Sequence, residues 1–239
     1  MTSHTGRKLI IVGAGETAQI AYEYFTHDSP HTVAAFAVEG AYLTESDLYG
    51  LPIVALERLS ERYPPDEFGA YVAISFNSLN RVRRRLFGIV KDLGFRCESY
   101  VSSRAFVWPN TVIGENCFVS EACVVQHHAQ LGDDVTMWAA ATITHRCVIG
   151  NDCFIASGAV INGLTNIGER CFIGANSSIA DRLSIADDSV IGMGAVVTKS
   201  IEAPGRVWVG NPAHQLANSS SEGFGALDPS PRGSNARGC

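Results

Sequence analysis

The chain has 239 residues, 46% hydrophobic and 18% charged, enough to bury one large core or two small ones. Its formal charge of −6 lacks the basic excess of a nucleic-acid binder. No apolar run approaches the ~20 residues of a membrane helix, and the run Leu9 to Val12 stops at Gly13, too short for a signal-peptide core. None of the seven cysteines forms a Cys-x-x-Cys pair, so reduced thiols in a cytoplasm are the simplest reading.

In chain order, Lys8 to Val12 reads as a buried strand. It runs into Gly13-Ala-Gly15-Glu-Thr-Ala18 and a helical pattern to about Phe25. In such a turn Gly13 permits the tight bend and Gly15 lets a phosphate approach the backbone. Ala18 lets helix and strand pack. The helix N-terminus, with Glu16 and Thr17, would face the anion. Thr32 to Val38 reads as a second strand, with Glu39 at its carboxyl end as a candidate ribose ligand. Tyr71 to Ser75 reads as a third. Leu79 to Leu93 reads as an amphipathic helix, with Arg81, Arg83, Arg84 and Arg85 largely off its apolar side. Those arginines read as a solvated face, or as a phosphate or subunit contact. One hundred residues are too few for the two halves a dinucleotide needs. Residues 1–100 therefore read as a half-Rossmann α/β domain for one nucleotide or nucleotide-linked sugar. A glycine turn that merely packs is the plain alternative.

From Val101 to Val197 every sixth residue is aliphatic, without a slip. Four residues after each, the side chain is small or medium from Ala105 to Ala195, with Leu183 the exception. Neither a helical nor a strand period explains a sustained six. A coil with three short flat faces does. One aliphatic residue per face points into a triangular core, the small residue sits near the corner, and three faces make an 18-residue turn. Ile113-Gly114, Leu131-Gly132, Ile149-Gly150 and Ile167-Gly168 recur at that spacing. A glycine there suits unusual backbone angles. Cys117, Cys123, Cys147, Cys153 and Cys171 all fall on the small position, as compact hydrophobes. Only Cys97 and Cys239 remain as candidates for reactivity. Residues 217–239, rich in Ser, Gly, Asn and Pro, read as a disordered tail.

His127 and His145 are 18 residues apart and so occupy one place on successive turns, ~4.8 Å apart. Gly163 holds that place one turn on. An amine or hydroxyl attacking a thioester needs a base, and neutral imidazole suits that role near pH 7. The tetrahedral intermediate needs an N–H donor, and a glycine offers an unobstructed one. His145 and Gly163 form a candidate catalytic pair, with His127 near the acceptor or thioester. A surface pair without chemistry and a metal site are the competing readings.

The repeat resembles that of the left-handed parallel β-helix acyltransferases. The whole stretch 8–216 looks like the bacterial sugar acyltransferases, among them the sialic-acid O-acetyltransferases and the bacillosamine-pathway UDP-amino-sugar N-acetyltransferases. The resemblance rests on the Gly13-x-Gly15 turn, the join Tyr100-Val-Ser-Ser-Arg-Ala105, Ile113-Gly-Glu-Asn-Cys-Phe118, Ile143-Thr-His-Arg-Cys-Val-Ile-Gly150 and the terminal Val209-Gly-Asn-Pro-Ala213. It implies a nucleotide-sugar-binding domain at 1–100 and an all-β left-handed parallel β-helix at 101–216. It also implies acetyl-CoA as co-substrate, no metal, and a homotrimer with sites between neighbouring prisms. His145 becomes the general base and the Gly163 N–H the oxyanion donor. Gly174, Gly192, Lys199, Asn211 and Pro212 become candidate coenzyme contacts. One departure stands out: where the family often follows its base with an acid or a second histidine, this chain has Arg146. Glu121 or a backbone carbonyl would then orient His145, and Arg146 would meet a phosphate or carboxylate of the substrate. A non-catalytic nucleotide-sugar-binding scaffold is the alternative function. A zinc hydratase of the same fold is a third, although Gly150 stands where its pattern usually places a histidine.

Overall fold

The computed structural model describes residues 6–225. The first elements are β1 (Lys8–Val12), α1 (Glu16–His27), β2 (Thr32–Val38), β3 (Asp47–Leu48) and β4 (Leu51–Ala55). They are followed by α2 (Leu59–Arg62), β5 (Phe68–Val72), α3 (Arg81–Asp92) and β6 (Arg96–Cys97). One sheet runs β3-β4-β2-β1-β5-β6, parallel except for β3 against β4. Leu9, Ile10, Ile11 and Val12 are buried, as a parallel strand covered on both faces requires. The third strand lies earlier than the expected Tyr71 to Ser75. Val72 pairs in register with Val12, and the ladder ends where β1 gives way to Gly13. Gly13 has φ +122, and a Cβ there would meet the Ala73 carbonyl oxygen at 2.8 Å. Glycine is required at this turn for both reasons.

From Tyr100 onward, two-residue strands recur every six residues: β7 (Tyr100–Val101), β8 (Phe106–Val107), β9 (Val112–Ile113), and so on through β23 (Val196–Val197). Each pairs in parallel with the strand 18 residues away, which makes the three faces of a left-handed β-helix. The first face holds the strands ending at Val101, Val119, Met137, Ile155, Ile173 and Ile191, and is extended by β24 (Val207–Val209) and β25 (His214–Gln215). The second holds those ending at Val107, Val125, Ile143, Ile161, Ile179 and Val197. The third holds those ending at Ile113, Leu131, Ile149, Ile167 and Ile185. The aliphatic series lines one continuous core from Val119 onward.

Two details of the repeat differ from the sequence reading. Gly114, Gly132 and Gly168 are not the left-handed residues. A Cβ at Gly114 would meet the Gly132 carbonyl at 2.6 Å, and one at Gly168 would meet the Asp187 nitrogen at 2.7 Å, so these glycines serve close approach between turns. The left-handed position is the third after each aliphatic residue, as at Asn116, His128, Asp134, Arg146 and Asp152. The corner cysteines are also more than compact hydrophobes. Each thiol donates to a carbonyl 15 residues on: Cys117 to Gly132, Cys123 to Trp138, Cys147 to Asn162, Cys153 to Gly168 and Cys171 to Ala186.

The α/β unit covers the first face. Tyr24, Tyr71, Tyr100, Phe118 and Trp138 form a chain of ring contacts across the junction. Asn116 accepts from the Val72 N–H at 2.7 Å, and Asp28 accepts from Tyr100, Ser102 and Ser103. Burial pushes the Asp28 carboxyl up, but the bonds from Ser103, Tyr100 and Ser102 outweigh it and hold it down at about 2. Residues 217–225, within the segment read as a disordered tail, pack at this junction too. Phe224 lies against Phe76 and Phe172, its carbonyl accepts from the Leu79 N–H, and Ser221 is buried. One aromatic anchor is what the composition of that stretch concealed. The rest of the tail, with Cys239, lies outside the described residues.

Candidate active site

His127, His145 and Gly163 follow strands of the second face that are paired in register, Val125 with Ile143 and Ile143 with Ile161. The column continues through Asp181 and Lys199. It runs along the edge between the second and third faces. The α/β unit sits on the first face, so this edge is the one opposite it.

The imidazole of His145 lies against Gly163. A Cβ at Gly163 would collide with Cε1 and come within 2.5 Å of Nε2. The Gly163 carbonyl accepts from the Arg182 N–H, and the His145 carbonyl accepts from the Leu164 N–H. The Gly163 N–H itself donates to nothing among the described residues. At the matching place one turn earlier, the His145 N–H is taken up by Gln126 Oε1 at 3.1 Å. An idle backbone donor beside an imidazole is the constellation an acyl-transfer intermediate needs. Gln126 was not singled out in the sequence. Its only signal is its place in the column that also holds Thr144 and Asn162.

His127 stacks on His145 with ring centroids 5.6 Å apart and planes 12° from parallel. Trp108 contacts His127 in turn, edge to face, at 6.5 Å. Arg146 occupies a left-handed turn position, donates its N–H to the His127 carbonyl, and exposes its side chain. That guanidinium has no acidic partner among the described residues. Glu121 does not orient His145. It lies on the turn between the first and second faces, where Tyr24 and Ser120 both donate to it.

The other candidate residues divide into two groups. Lys199 joins the His145 column. The exposed Asn211 and Pro212 are tied to the end of the second face through the bonds of Gly210 and Ala213 with Val196. Gly174 and Gly192 lie instead on the turn after the first face. A Cβ would meet the Met193 nitrogen at 2.6 Å and Val209 Cγ1 at 2.9 Å respectively. In the α/β unit, Gly15 caps α1, with Glu16 and Thr17 in its first turn. The Glu39 carboxylate is held by Arg85 at 2.7 Å on both oxygens. That bond, ahead of burial, keeps it below the usual carboxylate range. Cys97 is buried, and burial pushes its thiol well up, which makes it a poor nucleophile. Among the described residues, no group of three His, Cys, Asp or Glu side chains is placed to hold a metal ion.

Of the arginines of α3, Arg81, Arg84 and Arg85 stay exposed as a solvated face would, each paired with an acid, while Arg83 does not. Arg83 is buried, its Nε 2.9 Å from Asp134 Oδ2, and it donates to Thr136 and to the Asp134 and Cys153 carbonyls. Arg84 reaches Asp152 and Glu169, Arg81 reaches Asp188, and Lys91 reaches Glu115. The helix is clamped along the edge between the third and first faces, which leaves the His145 edge free.

Residues 128–163 match the family described as bacterial transferase hexapeptide (six repeats), and residues 164–199 match the hexapeptide repeat of succinyl-transferase. Both matches fall within the six-residue repeat of the prism. The acetyltransferase domain of PglB from Neisseria gonorrhoeae, solved with acetyl coenzyme A, is 29% identical. That match covers 88% of this chain and 100% of that one, with a TM-score of 0.76. PerB from Caulobacter crescentus, solved with CoA and GDP-perosamine, is 24% identical over 87% of this chain and 97% of that one, with a TM-score of 0.77. It supports the fold. Comparison with curated proteins gives no match.

Proposed function

We propose that the protein moves the acetyl group of acetyl-CoA onto an amino or hydroxyl group of a nucleotide-linked sugar. The observation that carries this reading is the half-buried His145 imidazole lying against Gly163, a residue whose N–H is idle among the described residues. His145 takes the proton of the acceptor as its nitrogen or oxygen attacks the thioester carbonyl. The oxyanion that forms accepts from the Gly163 N–H. Collapse breaks the carbon–sulfur bond, and the departing thiolate takes the proton from the imidazolium. The likeness to an acetyltransferase domain solved with acetyl coenzyme A supports the donor.

The α/β unit, residues 1–100, holds the nucleotide. Its phosphates lie at Gly13, Gly15 and the α1 N-terminus with Glu16 and Thr17, where no side chain caps the helix and its first N–H groups favour an anion. Glu39 reaches a ribose only by sharing its carboxylate with Arg85. The prism, residues 101–216, carries the chemistry. Lys199, Asn211 and Pro212 meet the coenzyme near the end of the second face, and Gly174 and Gly192 meet it from a neighbouring copy. Each α/β unit sits on the face opposite its own His145, so a homotrimer brings one copy's sugar to the next copy's base. Arg146, exposed and without an acidic partner, receives a phosphate or carboxylate of the substrate. No helix among the described residues is long and apolar enough to cross a membrane, in keeping with a cytoplasmic enzyme.

Thermal shift with UDP-, GDP-, dTDP- and CMP-sugars tests the substrate class, because a ligand of the folded state raises its stability by mass action. The expected result is a shift with one nucleotide, followed by thiol release when acetyl-CoA is added. No shift with any of them contradicts the reading. A nucleotide-sugar-binding scaffold without catalysis is favoured by one observation, Arg146 in place of an acid. Calorimetry showing no binding of coenzyme A would favour it.

A further inference from the structure

The His145 ring is held by faces rather than by hydrogen bonds. Among the described residues neither ring nitrogen has a hydrogen-bond partner, Gln126 takes only the backbone N–H, and Glu121 is on another edge. Arg146 carries the wrong charge to stabilise an imidazolium. Two surfaces remain. Below the ring is Gly163, whose missing Cβ makes room for it. Above it is His127, offset-stacked at 5.6 Å and 12°, with Trp108 behind at 6.5 Å. Such stacked geometry is an attractive arrangement of aromatic rings. An aromatic face within ~6 Å also favours a cation, as His145 becomes when it takes the acceptor's proton.

We propose that His127, backed by Trp108, is a positioning residue for His145, holding the base and its imidazolium by stacking. This rests on His145 being the base. It assigns to His127 the task that Arg146 cannot perform, and it does so through the ring face and not the ring nitrogens. Phenylalanine keeps the face and lacks the nitrogens, so H127F separates stacking from proton transfer and from hydrogen bonding to substrate. H127A removes both.

The test measures thiol release from acetyl-CoA, with the acceptor found by the nucleotide-sugar screen, for wild type, H127A and H127F. H127A is expected to lower kcat roughly 10- to 100-fold, with KM for both substrates changed by no more than about twofold. H127F is expected to restore most of the loss. A wild-type kcat in H127A overturns the proposal. So does a raised KM at unchanged kcat, or an H127F as slow as H127A. A second readout needs no acceptor: the ring-proton NMR resonances of His145 in the ligand-free protein. A ring-current shift is expected in wild type and H127F and is lost in H127A. An unmoved resonance in a folded H127A overturns the stack. If this readout succeeds while no acceptor releases thiol, the acetyl-transfer reading fails and only the stack of His127 on His145 stands.

Discussion

Gly163 shows how one missing methyl group can define a site. In Gly163→Ala the new Cβ meets a ring at the end of a side chain rather than backbone, so the ring moves and the prism stays. The expected outcome is a loss of turnover on the order of 100-fold from misplacement of the base, with Tm close to wild type. An assay of thiol release beside a melting curve checks both halves. The pairing of His145 with Gly163 was legible in the sequence because an 18-residue turn fixes which residues are neighbours. The tilt of the ring, the idle N–H and the stacking of His127 were not. They depend on side-chain torsions, as does the reach of the Gln126 amide across a turn to the His145 N–H.

Helix α3 ties the α/β unit to the prism through its arginines. Its amphipathic face was legible, but not the partners of its arginines, because Asp134, Asp152 and Asp188 lie 51 to 107 residues away. The acids had their own signal, since Asp134, Asp152 and Asp188 share one 18-residue column in which Arg170 takes the remaining place, but a single helix could not interpret it. Arg83→Ala leaves Asp134 buried without its counter-charge, which costs about 3–5 kcal/mol and should show as a lowered denaturant midpoint. Asp152 adds a pH dependence. Burial first, and the neighbouring Asp134 charge second, raise its carboxyl to about 7. A carboxyl raised on folding contributes stability below its ordinary, unfolded pKa and loses it as pH climbs through the folded value. Asp152→Asn, which never ionises, is therefore expected to gain Tm over wild type at pH 8 and little at pH 4. Equal differences at both pH values would contradict that origin.

For the whole molecule, the division of labour follows from which face is covered. The ring cluster and the α3 clamp fix the α/β unit on the first face, and the edge between the second and third faces is left uncovered. The hexapeptide period was legible because each of its turns repeats the same small packing problem. The docking of the two units was not, since aromatic contacts such as Tyr24 with Phe118 carry no period. The placement predicts assembly. Sedimentation equilibrium should give three times the 25.6 kDa chain mass, and a monomer that retains activity would contradict sites shared between copies.

The most direct test of the account is the rate of thiol release from acetyl-CoA by His145→Asn, measured beside wild type with the nucleotide sugar that stabilises the protein. The account predicts a fall of roughly 10²- to 10⁴-fold in kcat, with the melting temperature and coenzyme binding retained. A folded variant that turns over near the wild-type rate would contradict it.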